Sequence, residues 1–258
     1  MILARKRFGQ HFLHDPGVRQ RILGAIDARP GQRIVEVGPG PGALTAGLIE
    51  SAGRIDAIEI DRDLAATLRG RFGDALQLHD GDALEFDFAA LARLRGGPLR
   101  VVGNLPYNIS TPLLFHLLDS VEHLVDLHVM LQREVVERMA ATAGSSAYGR
   151  LTVMLAPRLQ ITKLFDVGPG AFQPPPRVWS AVARLEVLSE PRFVVPPAYA
   201  AIVAAAFAQR RKTLRNSLRQ HLEPGAFAAC DIDPGARPET LPPAAFAALA
   251  ALAHPAPL

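Results

Sequence analysis

Residues 33–42 read Arg-Ile-Val-Glu-Val-Gly-Pro-Gly-Pro-Gly, a short apolar segment followed by three glycines at alternate positions. The apolar segment predicts a buried strand, and a glycine-rich loop between such a strand and a helix is typical of nucleotide-type cofactor sites. A dinucleotide fold has the spacing G-x-G-x-x-G, whereas the spacing here is G-x-G-x-G. Pro39 and Pro41 also remove two backbone N–H groups that a pyrophosphate would need. The loop therefore favours a cofactor without phosphate, such as S-adenosylmethionine, with a ligand-free glycine turn as the alternative.

Acidic residues follow the next two predicted strands. Glu59 lies near the end of the second strand, Ile55 to Ile60, and about twenty residues after the glycine loop, where a carboxylate can accept hydrogen bonds from both ribose hydroxyls. Asp82 follows the third strand, Ala75 to His79, and is placed to accept the amino group of an adenine. Two carboxylates at successive strand ends favour a nucleoside ligand over two solvated loop acids.

The tetrapeptide Asn104-Leu105-Pro106-Tyr107 follows a fourth predicted strand, Leu99 to Val102. Loops at the carboxyl ends of such strands carry the chemistry of open α/β sheets. An amide oxygen, and carbonyls beside a proline, accept the hydrogens of an exocyclic amino group, while a tyrosine ring offers a stacking face to a flat base. The motif favours methylation of a base amino group, with an ordinary strand-ending turn as the alternative.

Strand and helix patterns alternate through the first two thirds of the chain. Repeated βα units predict an α/β fold with a mainly parallel sheet and helices on both faces. The segment Ser189 to Pro197 contains three prolines and is typical of a linker, and the alanine-rich chain beyond it is predicted to be helical. We therefore predict a domain boundary near residue 190.

Composition excludes several classes of protein. The 258 residues are 49% hydrophobic, enough for one large or two smaller cores, and include one cysteine, Cys230, so neither a disulfide nor a cysteine zinc cluster is expected. The sequence shows no apolar run of the ~20 residues that a membrane span needs, and its first residues lack the apolar stretch of a signal peptide. These features predict a cytoplasmic protein with no membrane segment and no metal site.

Basic residues gather between Pro191 and Leu222, a stretch without any acidic residue. The apolar spacing predicts one amphipathic helix from about Ala198 to Leu222, with arginines beside the apolar stripe at i, i+4 and i+8. We interpret the basic residues as a face that contacts RNA phosphates, with a solvated helix face as the alternative. The stretch also contains Arg192, and the residues assigned to the RNA face are Arg210, Arg211, Lys212, Arg215 and Arg219. Arg5, Lys6 and Arg7 are candidates for the same track.

Six motifs, taken in order, carry a resemblance to a known family. They are Phe8-Gly-Gln10-His-Phe12-Leu13, Glu36-Val-Gly-Pro-Gly40, Glu59-Ile-Asp61, Gly81-Asp82-Ala83, Gly103-Asn-Leu-Pro-Tyr-Asn-Ile-Ser110 and Phe172-Gln-Pro-Pro-Pro-Arg-Val178. Together they resemble the ribosomal RNA adenine N6-dimethyltransferases, in particular the bacterial small-subunit branch, and the resemblance continues through residues 210–217. It implies a class I, Rossmann-like S-adenosylmethionine-dependent methyltransferase domain over residues 1–189. It also implies a small all-helical, RNA-binding domain over residues 190–258.

The resemblance further implies a reaction and a set of site residues. The reaction methylates N6 of two adjacent adenosines near the 3′ end of small-subunit (16S) rRNA, within an assembling small ribosomal subunit, giving N6,N6-dimethyladenosine and S-adenosylhomocysteine. The implied cofactor contacts are His11, Leu13, Gly38, Glu59, Asp82 and Asn104. The family pattern has asparagine at position 11, so we expect the position of His11 to matter more than its imidazole. A cytoplasmic monomer is expected.

The chemistry assigns roles within the predicted catalytic set of Asn104, Leu105, Pro106, Tyr107 and Phe172. Asn104 Oδ1 and the Leu105 carbonyl are predicted to accept the two N6 hydrogens, and Tyr107 to stack on one face of the base. Phe172 is predicted to stack on the other face, with a place in the core as the alternative. The single tryptophan, Trp179, is interpreted as structural.

Three other functions are compatible with parts of the pattern. One is methylation of large-subunit rRNA, as in the antibiotic-resistance branch of the same family, which the resemblance beyond residue 190 disfavours. Another is an RNA-binding assembly factor without catalysis, which the intact acidic and Asn-Leu-Pro-Tyr motifs disfavour. The third is a dinucleotide oxidoreductase, which the two loop prolines disfavour.

Overall fold

The computed structural model describes residues 10–209 and 211–254, so the predicted RNA contacts Arg5, Lys6, Arg7 and Arg210 lie outside the described residues. The strands are β1 (Phe12–Leu13), β2 (Ile34–Val37), β3 (Ile55–Glu59), β4 (Leu76–Asp80), β5 (Leu99–Asn104), β6 (Leu124–Gln132), β7 (Leu159–Val167), β8 (Phe172–Gln173) and β9 (Ser180–Val187). The helices are α1 (Pro16–Ile26), α2 (Thr45–Ala52), α3 (Arg62–Phe72), α4 (Phe88–Arg95), α5 (Ser110–Asp119), α6 (Arg133–Met139), α7 (Arg150–Leu155), α8 (Tyr199–Phe207), α9 (Leu214–Leu218), α10 (Gly225–Ala229) and α11 (Pro243–Ala251).

Seven strands form one sheet in the order β4-β3-β2-β5-β6-β9-β7. The first five in that order run parallel to their neighbours, and β9 runs antiparallel to β6. The predicted α/β fold with a mainly parallel sheet is therefore confirmed. Because parallel strands end at the same edge of the sheet, the loops after β2, β3, β4 and β5 meet there.

A glycine sets the closest approach between two of these strand ends. A Cβ atom at Gly103, near the end of β5, would lie 2.6 Å from the backbone oxygen of Val37 at the end of β2. No larger residue fits there without moving the backbone. The Asn104–Tyr107 motif is consequently held beside the loop that begins at Gly38.

The chain divides into two compact units. The first contains the residues up to Val136 together with Ile161–Val187, and the second contains Glu137–Gln160 together with the residues from Leu188 onward. The division at Leu188 lies close to the boundary predicted near residue 190, but Glu137–Gln160 were predicted to belong with the first domain. The functions assigned to the two domains stay predictions.

Each unit has its own hydrophobic core. In the first, α1 and α2 pack on the sheet through buried residues such as Ile22, Ile26 and Leu48. In the second, Tyr199, Leu214 and Phe246 belong to a separate cluster built from helices and loops. No helix in the described part of the chain is long and apolar enough to cross a membrane.

The single helix predicted from about Ala198 to Leu222 is wrong. The structure has α8 ending at Phe207 and α9 beginning at Leu214. The break occurs where the Leu214 and Arg215 N–H groups donate to the carbonyls of Ala236 and Pro234, at 3.0 and 2.9 Å. These partners from a distant loop replace helical hydrogen bonds, while Leu214 and Leu218 still pack in the core.

Candidate active site

A cavity of about 330 Å³ opens at the edge of the sheet where the parallel strands end. Its volume is within the range typical of small-molecule sites. Among its lining residues are eight of the predicted site residues, His11, Gly38, Glu59, Asp82, Asn104, Leu105, Pro106 and Tyr107. Motifs spread over almost a hundred positions of the sequence therefore meet at one cavity.

The glycine loop forms one wall of this cavity. Gly38 and Gly40 both have positive φ angles, 66° and 57°, which side-chain-bearing residues rarely adopt. A Cβ atom at Gly40 would also lie 3.2 Å from the ring of Phe12. The glycines therefore allow the loop to turn tightly under the Phe12 ring at the cavity.

Glu59 lies at the end of β3, is 4% exposed, and accepts hydrogen bonds on both carboxylate oxygens. The Gly40 N–H donates to Oε2 at 3.1 Å, and the Asp61 N–H donates to Oε1 at 2.9 Å. Burial raises the pKa of Glu59, and these backbone donors oppose that shift. A carboxylate has about four acceptor sites, so Glu59, held by backbone donors that include the glycine loop, can still accept a hydrogen bond from a ligand in the cavity.

A second buried carboxyl lies near Glu59. The pKa of Glu36 is raised to about 7. Burial is the main cause and the charge of Glu59 adds to it, whereas the Thr45 hydroxyl, which donates to Glu36 at 2.6 Å, opposes the shift. Near neutral pH Glu36 is therefore only partly ionised. Burial raises the pKa of Glu59 as well, but Glu59 has backbone N–H donors on both carboxylate oxygens, which oppose that shift.

We expect Glu59→Ala to weaken S-adenosylmethionine binding by ~1–3 kcal/mol, because a charge-assisted hydrogen bond to the ribose is lost. Calorimetric titration of wild type and variant measures the effect. Glu50→Ala, which removes an exposed carboxylate from α2, is the matched control and should leave affinity unchanged. Equal affinity of wild type and Glu59→Ala would remove Glu59 from the cofactor site.

Asp82 lies in the loop after β4 and is partly exposed at the cavity. Its Oδ1 accepts a hydrogen bond from the Leu84 N–H at 2.9 Å, which fixes the carboxylate in place. Ile60, which follows Glu59 directly, also lines the cavity and is 44% exposed. The sequence reasoning missed Ile60, although an exposed apolar residue between two candidate nucleoside contacts is a natural surface for a flat base.

The Asn104 amide is oriented by the segment that contains His11. Asn104 Nδ2 donates to the His11 carbonyl oxygen at 2.9 Å. This bond occupies the amino side of the amide and leaves Oδ1 as an acceptor. His11 thus contributes its backbone to the site, and its ring Nδ1 lies 2.8 Å from the Pro174 carbonyl oxygen.

The Tyr107 ring lines the cavity in a fixed orientation. Its hydroxyl lies 2.6 Å from the hydroxyl of Ser180. The His11 ring stacks on the Tyr107 ring, with 5.5 Å between the ring centroids. Burial raises the pKa of Tyr107, so the phenol stays neutral at physiological pH. Ser180, fully buried at the start of β9, is a second residue that the sequence reasoning missed.

Two predicted site residues lie elsewhere. Phe172 is 1% exposed, pairs with Leu13 across β1 and β8, and packs in the core of the first unit. Stacking of Phe172 on a base does not fit this arrangement, because its ring has no exposed face. Leu13 is 5% exposed in the same core and is absent from the cavity lining, so its side chain is not placed to contact a ligand there.

The basic residues of the second unit are exposed but do not form one helical stripe. Arg211 precedes α9, Arg215 lies within it, and Arg219 is its C-terminal cap. Within residues 10–209 and 211–254, neither these arginines nor Lys212 forms an ion pair. Their charges are therefore available to a polyanion, and contact with RNA stays a prediction. Across the same residues no three His, Cys, Asp or Glu side chains are grouped to hold a metal ion.

The protein has the fold of the class I S-adenosylmethionine-dependent methyltransferases, with its cavity at the carboxyl ends of the parallel strands. The crystal structure of a dimethyladenosine transferase from Plasmodium falciparum has the same fold, with a TM-score of 0.80 at 24% identity over 94% of this chain and 99% of that chain. The crystal structure of the 23S rRNA methyltransferase ErmE gives a TM-score of 0.71 at 26% identity, over 93% of this chain and 98% of that chain.

Sequence comparison is more specific than the fold. The family model for ribosomal RNA adenine dimethylases matches residues 1–254. The ribosomal RNA small subunit methyltransferase A of Pseudomonas aeruginosa is 55% identical over 251 residues, which are 96% of this chain and 93% of that protein. The chain belongs to the ribosomal RNA adenine dimethylase family.

Proposed function

We propose that this protein transfers methyl groups from S-adenosylmethionine to N6 of two adjacent adenosines near the 3′ end of small-subunit rRNA. The product is N6,N6-dimethyladenosine. The protein acts as a monomer in the cytoplasm, on an assembling small ribosomal subunit. The observation that carries the proposal is the orientation of the Asn104 amide. Its Nδ2 donates a hydrogen bond to the His11 carbonyl oxygen, so Asn104 Oδ1 remains an acceptor in the cavity.

The residues around the cavity fit S-adenosylmethionine. The glycine loop has positive φ angles and lacks two N–H groups at its prolines, which suits a ligand without phosphate. Glu59 would hold the ribose hydroxyls, Asp82 the adenine amino group, and Ile60 would contact the adenine face. When bound, S-adenosylmethionine supplies an electrophilic methyl group.

The chain's own residues prepare the acceptor nitrogen. The lone pair of adenine N6 is delocalised into the ring, so the free base is a poor nucleophile. Asn104 Oδ1 and the Leu105 carbonyl, by accepting the two N6 hydrogens, favour a pyramidal nitrogen with a directed lone pair. Tyr107 holds the flipped base by stacking, and such positioning can supply about 7–11 kcal/mol of the barrier reduction. No general base is required, because the methylated ammonium is acidic and loses its proton to water.

The choice of the small subunit over the large one rests on sequence similarity. The relative named for the small subunit is 55% identical to this chain, whereas the 23S rRNA methyltransferase ErmE is 26% identical. Incubation with methyl-labelled S-adenosylmethionine and separated subunits lacking these modifications tests the choice. We expect label in small subunits, and label confined to large subunits would overturn it.

We further propose that Arg211, Lys212, Arg215 and Arg219 contact phosphates of the rRNA. Such contacts position a substrate without reading its sequence. Replacing the three arginines with glutamine should weaken binding to the subunit and flatten the log–log dependence of affinity on salt by about two to three units, roughly 0.7–0.9 per lost contact. Affinity for S-adenosylmethionine should not change.

A salt titration of subunit binding measures this slope. The matched control replaces Arg29, Arg54 and Arg93, three exposed arginines of the first unit, with glutamine and so removes the same charge. If both triple variants keep the wild-type slope, the basic residues of the second unit are a solvated surface.

A further inference from the structure

The segment between β8 and β9 presents an exposed aromatic residue next to the active-site residues. Trp179, the single tryptophan of the chain, is 51% exposed, and its neighbour Val178 is 43% exposed. Trp179 and Val178 are adjacent, so they form a contiguous apolar surface, the kind of feature that can mark an interaction site.

Three hydrogen bonds hold this segment against the site. Two of them reach residues that line the cavity, so the position of Trp179 relative to the site is fixed. The bonds join Pro174 O to His11 Nδ1 at 2.8 Å, Ser180 Oγ to the Tyr107 hydroxyl at 2.6 Å, and Trp179 O to the Arg133 N–H at 2.9 Å.

The indole ring lies close to Gly168 and keeps an open side. A Cβ atom placed on Gly168 would lie 3.7, 3.8 and 4.0 Å from three atoms of the six-membered ring of Trp179, which are ordinary van der Waals separations. About half of the tryptophan surface remains open to a ligand.

The surroundings of Trp179 suit a polyanion. From Val167 to Leu185 the sequence contains no acidic residue. Arg177 is exposed and forms no ion pair within the part of the chain that the structure describes. Arg177 lies two positions before Trp179 in the chain, and proteins hold single-stranded nucleic acid with aromatic faces combined with cations.

We propose that Trp179 and Arg177 form a docking platform for an RNA nucleotide next to the target adenosine. The base of that nucleotide stacks on the indole, and its phosphate contacts the guanidinium. This inference rests on the proposed function and adds to it a contact, made by the rim of the active site, that holds the strand while the target base is flipped out.

Fluorescence tests the contact directly, because the chain has a single tryptophan. A protein-free transcript of the 3′ segment of small-subunit rRNA, labelled for anisotropy, is titrated into the full-length protein. We expect quenching of the indole in parallel with binding. Heparin, a polyanion without bases, should bind to basic residues without comparable quenching. Transcript binding that leaves the fluorescence of Trp179 unchanged would overturn the platform.

Kinetics on undermethylated small subunits supply the second readout. Trp179→Ala should raise KM for the subunit about 5- to 150-fold, the size expected for one stacked base, with kcat and S-adenosylmethionine affinity unchanged. Trp179→Phe retains a stacking ring and should recover most of the loss. Leu94→Ala, at a side chain 72% exposed on α4, is the matched control for removing an exposed apolar residue.

The outcomes separate the platform from the proposed function. If the wild type methylates small subunits and Trp179→Ala has the wild-type KM, the platform is wrong and the function stands. If the wild type labels no adenosine of the small subunit, yet RNA quenches Trp179, the proposed function fails, and only the contact of Trp179 with RNA remains.

Discussion

Asn104→Ala is expected to lower kcat for methylation of small subunits about 100- to 1000-fold, the size typical for one preorganised hydrogen-bonding group at a reacting centre. We propose the amide oxygen as the side-chain acceptor for an N6 hydrogen. The hydrogen bond from Asn104 Nδ2 to the His11 carbonyl oxygen holds the amide in place before any substrate arrives. Single-turnover kinetics with saturating S-adenosylmethionine measures the effect on the chemical step.

The control for this variant is Asn108→Ala. Asn108 is an exposed asparagine of the same loop that also lines the cavity, and it has no assigned role. Its removal should change the rate by much less than the removal of Asn104. A single-turnover rate for Asn104→Ala within threefold of wild type would show that the amide does not act on the amine.

Tyr107→Ala should lower kcat/KM for small subunits about 5- to 150-fold and change S-adenosylmethionine affinity far less, because its ring is assigned to the target base. Steady-state kinetics on undermethylated subunits, combined with calorimetry for the cofactor, separates the two effects. Tyr107→Phe keeps the ring and loses only the hydrogen bond with Ser180, so we expect a smaller loss. Methylation by Tyr107→Ala at the wild-type rate would exclude stacking from the mechanism.

Local sequence was sufficient to predict the parallel strands β2, β3, β4 and β5 and most of the candidate residues that line the cavity, whereas the edge strand β7 was not predicted. The strands β2, β3 and β5 are short, mainly apolar segments, and each has a candidate site residue at its last position or directly after it. Once these strands are parallel, their ends must meet at one edge of the sheet, whatever the lengths of the connecting helices. The predicted grouping of Gly38, Glu59 and Asn104 therefore needed no knowledge of long-range contacts.

The features that sequence did not predict depend on partners far away in the chain. Tyr107 is fixed by a hydroxyl 73 positions away, at Ser180, and no local pattern pairs the two residues. Phe172 lies in the core because it pairs with Leu13 across β1 and β8, and the sequence of a two-residue strand does not predict that pairing. The break between α8 and α9 arises from carbonyls of a later loop, which override a regular amphipathic spacing.

We propose that this cavity directs methyl transfer to the exocyclic nitrogen of adenine. The identity of the labelled nucleoside is the decisive measurement. Small subunits lacking the modification are incubated with the protein and methyl-labelled S-adenosylmethionine, and the rRNA is digested to nucleosides and separated by chromatography with mass detection. We expect label in N6,N6-dimethyladenosine, and loss of that label with Asn104→Ala. Label in a ribose-methylated nucleoside or in a base other than adenine, or no label at all, would contradict it.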